Sequence, residues 1–347
     1  MKHLAENPGD ERVECSKDST GSLVEMFVNI IQQGRIATGQ CPALRPVFLK
    51  SHGVAHGVFR IKKDIAADLQ VGLFSGAEYP CWIRFSSDTL PANDDYKSTV
   101  GIGLKLFDTP TPKIFGNSND NTFDFIMQNM DVFFVDTAKD MCEFTKAGVV
   151  DGDYEPYLEA HPKTKAILDA MAKPVGSALA IPYWAILPFR FGTERYAKYK
   201  LEPTIEVSPP SHPPSDPSYL ATDLADRLLE SEQVFRFCVQ LRTDENAMPL
   251  DEATVAWPVD LSPFIHVADI VFPKQDINQQ NQAVYGENLS WNIWRVTEDH
   301  RPVGSIADAR RVVYQAAARL RRNTNGIPIG EPNEPKHTSD LPPCQDT

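Results

Sequence analysis

Between residues 81 and 128 the chain reads Cys81-Trp82-Ile83-Arg84-Phe85-Ser86, then Val100-Gly101-Ile102-Gly103-Leu104-Lys105-Leu106-Phe107, then Thr122-Phe123-Asp124-Phe125-Ile126-Met127-Gln128. Short runs rich in β-branched and aromatic residues, separated by Asp, Asn, Gly and Pro, predict strands joined by turns. A further run at 57–61 extends this block over residues 54–134, and strand signals return at 235–242, 254–259 and 266–272. Helical spacing frames the strands. Ser22 is the expected cap of a helix with Leu23, Phe27, Ile30 and Ile31 at helical spacing and Gly34 near its end, and the last ordered element spans 305–323. Segments 137–147 and 160–172 also read as helices, whereas 178–191 is too apolar and aromatic to assign. Strands grouped together with a helix at each end predict an α+β fold around an antiparallel sheet or barrel, not alternating βαβ units.

The remaining organisation is set by composition. The chain has 347 residues, 42% hydrophobic and 23% charged, enough to bury a core. Its net charge of -13 is the wrong sign for gripping phosphate backbones or anionic lipid, so neither nucleic acid nor a membrane surface is an expected partner. No run approaches the roughly 20 apolar residues of a spanning helix, and the polar, acidic start is unlike a signal peptide. A cytoplasmic protein is the expectation. The cysteines at 15, 41, 81, 142, 238 and 344 form no CxxC pair, which signals neither zinc nor a disulfide framework and suits a reducing compartment, although one distant pair remains able to bridge. Residues 1–20 read as a flexible N-terminal arm, 21–326 as a single domain and 327–347 as a Pro-rich C-terminal tail; six prolines between 202 and 218 mark a long surface excursion.

The terminal helix carries the most chemistry. Arg310, Tyr314 and Arg321, four and seven residues apart, share one face. A tyrosine ligates metal as phenolate, and with a reference pKa of about 10 it needs a nearby cation such as Arg310. Such a phenolate fits beneath a haem iron, with Arg321 reaching a propionate. An amphipathic helix with a half-buried tyrosine and solvated arginines fits the same spacing. Arg84, in an otherwise apolar strand, requires an anion or several acceptors, for which a propionate or Asp88 would serve. His52 and His56 lie four apart beside glycines, where either a turn histidine bonded to backbone or a proton shuttle at a bound peroxide is consistent. Gln128 and Asn129 set adjacent amides near the paired rings of Phe133 and Phe134, suited to orienting an oxygen species and stacking on a macrocycle, or simply to a strand entering a turn. There is no GxSxG elbow, P-loop, HExxH, EF-hand or dinucleotide fingerprint.

Between Arg45 and Asn325, the order of these pieces resembles the catalase superfamily, and more closely its short catalase-related haem proteins. The resemblance rests on Lys50-Ser51-His52-Gly53, Trp82-Ile83-Arg84-Phe85-Ser86, Gly101-Ile102-Gly103-Leu104-Lys105, Pro188-Phe189-Arg190-Phe191-Gly192, Glu287-Asn288-Leu289-Ser290-Trp291-Asn292, His300-Arg301-Pro302-Val303-Gly304 and Arg310-Arg311-Val312-Val313-Tyr314. It implies a catalase-like antiparallel β-barrel with flanking helices and haem b buried in the barrel. Tyr314 would ligate the iron, Arg310 would hold it ionised, Arg84 and Arg321 would contact propionates, and Phe133 would stack on the haem. It further implies a peroxide or organic hydroperoxide substrate, a role in the response to oxidative stress, and compatibility with a homo-oligomer. The distal side departs from the pattern. Phe48 stands where relatives carry a histidine, leaving His52 as the nearest candidate acid/base, and Gln128, with Asn129 adjacent, stands where they carry an asparagine. Peroxidase-like chemistry on organic hydroperoxides is therefore expected over fast dismutation, with a haem carrier or sensor as the alternative.

Overall fold

The computed structural model describes residues 13–279, 281–332 and 334–336. Nine strands run antiparallel: β1 (Lys50–Ile61), β2 (Glu78–Ser87), β3 (Val100–Leu106), β4 (Phe123–Gln128), β5 (Tyr183–Trp184), β6 (Phe189–Phe191), β7 (Arg195–Pro203), β8 (Gln233–Leu241) and β9 (Ile265–Phe272). The meander β1 to β4 closes through β5, which pairs with both β4 and β7, and β8 and β9 return the ring to β1. The result is a closed eight-stranded barrel with β6 added beside β7. Closure leaves no open edge among these eight strands.

Strand alternation sorts the side chains. Ile83, Leu104 and Phe125, in register across β2, β3 and β4, point inward, and the Phe125 ring lies 5.3 Å from that of Tyr199 and 5.0 Å from that of Phe237. Phe59 meets Phe237 at 5.0 Å, so rings from β1, β4, β7 and β8 fill the interior. The alternate set, Arg84, Gly103 and Ile126, therefore faces outward from the barrel.

Helices cover that outer wall and one end. The first run begins at α1 (Ser19–Val24), capped by Asp18 rather than Ser22, widens to a π-helix over Glu25–Gln32, and ends in α2 (Gln33–Ala37). Next come α3 (Ala138–Val149), α4 (Glu155–Ala160) and α5 (Pro162–Met171). The Pro-rich excursion leads into α6 (Tyr219–Glu230), whose Leu220, Leu224 and Leu228 are all 0% exposed against the core. Asp95 accepts a hydrogen bond from the Leu220 amide at 3.0 Å and an ion pair from Lys50 at 2.8 Å, which fixes the start of α6 beside β1. Finally α7 (Gln282–Asn288) and the long α8 (Ser305–Thr324) lie on the outer wall. Trp294 Nε1 donates to the Ala307 carbonyl at 2.7 Å and Gln32 to that of Ala317 at 3.2 Å, holding α8 between the barrel and the first helical run.

One expectation needs correction. Segment 254–259 is not a strand: Asp136 takes the Thr254 amide and hydroxyl, Lys198 donates to the Val255 carbonyl, and Pro258 interrupts the run. The expected N-terminal arm lies outside the described residues over 1–12, but 13–20 are anchored, with the Glu14 amide donating to Ser22 Oγ. In the expected C-terminal tail, residues 337–347 lie outside the described residues, while Trp82 donates to the Lys336 carbonyl at 3.0 Å. The cysteines supply the one distant pair that their spacing left open. Cys15 is bonded to Cys142 of α3 across 127 residues, inside an apolar cluster with Leu23, Met26, Ala309 and Val313. Bridges of this kind are commonest in oxidising surroundings. Among the described residues no helix is long and apolar enough to cross a membrane.

Closing so long a loop constrains the unfolded chain. Replacing Cys15 by Ala is expected to cost about 2–4 kcal/mol in denaturant unfolding. Alkylation of the unfolded, unreduced protein followed by mass spectrometry should leave Cys15 and Cys142 unmodified while labelling Cys41, Cys81 and Cys238.

Candidate functional site

Two adjoining cavities lie between the outer wall of the barrel and α8. The smaller, about 120 Å³, is lined by Arg45, Arg84, Gly103, Ser290, Trp291, Tyr314 and Arg321, among others. The larger, about 380 Å³, is mainly apolar, with Phe27 and Ile31 of the π-helical segment, Met141 and Phe144 of α3, Met171, Phe133 and Val313, together with Gln128 and Arg310. Tyr314 and Phe48 border both. A π-helical turn forming a cavity wall is a frequent mark of a functional site.

This placement corrects the expected location. The barrel interior is packed with aromatic rings, so a macrocycle could not lie inside it; the space sits outside β2, β3 and β4, where Gly101 and Gly103 remove bulk from the wall. A Cβ on Gly103 would come within 2.8 Å of the Trp291 ring, and one on Gly101 within 2.5 Å of Phe48.

The small cavity is walled by cations. Arg84 is 4% and Arg321 2% exposed. Arg84 Nη2 donates to the carbonyls of Phe48 at 3.1 Å and Leu49 at 3.4 Å, and lies 3.5 Å from the Glu287 carboxylate. Arg45 pairs with the same carboxylate, donates to the Leu289 carbonyl at 2.7 Å and lies 5.1 Å over the Trp291 ring. Arg321 donates to the carbonyls of Glu287 and Leu289. Burial followed by mutual repulsion from Arg45 lowers the pKa of Arg84 to about 9 and of Arg321 to about 8, with Glu287 opposing. Burial raises the Glu287 carboxyl, but Arg45, Arg84 and Arg321 outweigh it and hold it below its usual range. Arg84 Nε, Arg321 Nε and Trp291 Nε1 are buried with no partner among the described residues. Buried donors without acceptors beside an excess of positive charge are what a bound anion would satisfy.

The sequence-predicted residues divide into two groups. Tyr314, Arg84, Arg321, Arg310, Phe133 and Gln128 do meet at these cavities. Arg310 reaches Tyr314 through its ring face, 5.6 Å from the centroid, and lies equally far over Phe133, so its support for the phenol is not a contact with the oxygen. The Gln128 amide is tied to the Val132 carbonyl at 3.2 Å. His52 and Asn129 line neither cavity. His52 bonds Ser87 Oγ at 2.7 Å, with Asp95 3.8 Å away, and Asn129 donates to the Met171 carbonyl at 3.0 Å. A register shift between Ser51 and Gly53 breaks strand alternation at His52, and no wall position is left for it. Sequence reasoning missed Arg45, Glu287 and Trp291 as site residues. Their signal was the Arg45 and Glu287-to-Trp291 matches at the ends of the resemblance, which do not say that residues 242 apart touch.

No known family description matches the chain, and no curated protein matches it in sequence. Solved structures do. A fungal catalase superposes with a TM-score of 0.67 at 17% identity over 85% of this chain and 62% of its own. Catalase A from Saccharomyces cerevisiae gives 0.67 at 16% over 86% and 65%, and a bacterial catalase 0.64 at 16% over 90% and 65%. The chain therefore has a catalase-like fold while spanning less than two thirds of these catalases.

Burial, then the charges of Lys50 and Arg84, lowers the His52 pKa to about 3. Because the folded value lies below the unfolded one of about 6.5, the unfolded chain binds the extra proton between these values, and stability falls as pH drops through that window. By pH 5 His52 alone should cost about 2 kcal/mol, and His52→Asn should flatten the acid limb of stability against pH by about one proton.

Proposed function

We propose that this chain is a haem-dependent oxidoreductase acting on peroxides, with organic hydroperoxides favoured over hydrogen peroxide. The observation that carries this reading is the meeting of Tyr314 with an unbalanced, partly unpartnered guanidinium wall on a catalase-like fold. The donor set fits haem b: Tyr314 would ligate the iron, Arg45, Arg84 and Arg321 would take the propionates, and Phe133 would lie against the macrocycle. When bound, the haem would supply redox chemistry at the O–O bond.

The chain's own residues then set which peroxide reacts. The arginines neutralise and fix the anionic edge of the ligand. Phe48 brings an aromatic ring where proton transfer would otherwise occur, and it can neither give nor take a proton. Dismutation requires that transfer in both halves of the reaction, so it is disfavoured. The larger, mainly apolar cavity has the volume and lining for a carbon chain. Gln128 supplies an amide at its wall. Phe48 equally favours a second reading, a haem carrier or sensor without turnover, because the same ring keeps the pocket dry.

Expression with haem supplied should give a Soret band that Tyr314→Phe shifts or removes. Its absence from the wild type would sink the proposal. Phe48→His should raise oxygen evolution from hydrogen peroxide by about 10²-fold or more, and His52→Ala should leave the basal rate unchanged. Bound haem without turnover of hydrogen peroxide or an alkyl hydroperoxide would select the carrier reading.

A further inference from the structure

Glu287 is absent from the cavity wall; it stands behind the wall, at the end of α7, with its side chain 18% exposed. Two guanidinium groups pair with its carboxylate, Arg45 before β1 and Arg84 in β2, and a third, Arg321 in α8, donates to the backbone carbonyl of the same residue and adds its charge to the carboxylate's surroundings. One negative charge thus faces three positive ones, and the excess of two lies on the cavity side. Among the described residues five buried side-chain nitrogens have no hydrogen-bond partner; Arg84 Nε and Arg321 Nε belong to this cluster, Trp291 Nε1 to the ring beneath Arg45, and His52 Nδ1 and Arg295 Nε lie elsewhere.

A neighbouring network on the same outer wall has more carboxylate for its cations. Lys105 pairs with Asp124 at 2.7 Å and Glu331 at 2.5 Å, and Arg295 pairs with both carboxylates, so two anions serve these two cations and the nearby Arg322, with Arg295 Nε left without a hydrogen-bond partner among the described residues. It borders neither cavity. The unbalanced cluster does.

We propose that Glu287 is a positioning residue and fixed counter-ion that sets how much negative charge the small cavity accepts: with one carboxylate behind three guanidiniums, the site selects a ligand bearing two. Applied to haem, whose two propionates meet that requirement, this rests on the function proposed above; the charge balance would also serve a porphyrin-free dianion.

The test compares full-length wild type, Glu287→Gln and Arg45→Met. Hemin and its monomethyl and dimethyl esters are titrated by absorbance, and thermal unfolding is followed with and without succinate. Removing the carboxylate should lower the Tm of the ligand-free protein and raise the preference for hemin over its dimethyl ester about tenfold, weakening with salt. Arg45→Met, which leaves an excess of one, should erase the preference for hemin over the monomethyl ester and keeps the inference testable if Glu287→Gln does not fold. An unchanged preference in either folded variant overturns the inference. If no porphyrin binds, but succinate raises the Tm of wild type and raises that of Glu287→Gln further, the haem reading fails and the counter-ion stands. If neither porphyrin nor succinate discriminates the variants, the counter-ion fails.

Discussion

Taking three guanidinium groups out of water against a single carboxylate is a demand that shapes everything packed around it. Desolvation of each cation must be met by acceptors. Glu287 meets only part of the need, and backbone carbonyls of Phe48, Leu49, Gly286, Glu287 and Leu289 meet more. Those acceptors hold the segment before β1, the end of α7 and the loop after it in one arrangement. Arg321 then ties α8 to that loop, and Tyr314, two turns earlier on the same helix, inherits its position.

The barrel has a different task. Its interior is closed by rings from four strands and has no room for a ligand, so the wall works as a rigid plate whose outer face carries the polar groups. Register makes this possible: Arg84, Gly103 and Ile126 on one line alternate with Ile83, Leu104 and Phe125 on the next, and the same strands stabilise the core and present the site. The first helical run, fastened to α3 through Cys15 and Cys142, forms the far side of the larger cavity. The site therefore lies between two independently anchored layers.

What the sequence made legible follows from the range of each signal. Alternation located β2, β3, β4, β8 and β9 because it is local, and an arginine amid apolar strand residues advertised its need for an anion. The face shared by Arg310, Tyr314 and Arg321 followed from helical spacing alone. The four-residue spacing of Leu220, Leu224 and Leu228 was equally local, yet the segment after the Pro-rich excursion goes unassigned in the sequence reading. Other features were beyond reach. The bridge from Cys15 to Cys142 and the pairing of Arg45 with Glu287 join residues more than a hundred apart, and the register shift that turns His52 away depends on how β1 pairs with β2. The sorting of cavity-facing from buried polar groups is a tertiary fact.

Phe48 concentrates these constraints in one residue. Its φ of 51° lies in the left-handed region, which a bulky side chain adopts only when its surroundings compel it. Here they do: Asp88 accepts its amide hydrogen at 2.9 Å, Arg84 donates to its carbonyl at 3.1 Å, and its ring occupies the space that Gly101 leaves open. Strain held in place by two polar contacts and a missing Cβ is a maintained conformation. The aromatic ring that borders both cavities is thus fixed by the same arginine that stands in the wall of the smaller one, so the two cavities share a mechanical support. Any side chain placed there would have to be supported by that same backbone geometry, so a substitution at Phe48 acts on the wall and on both cavities together.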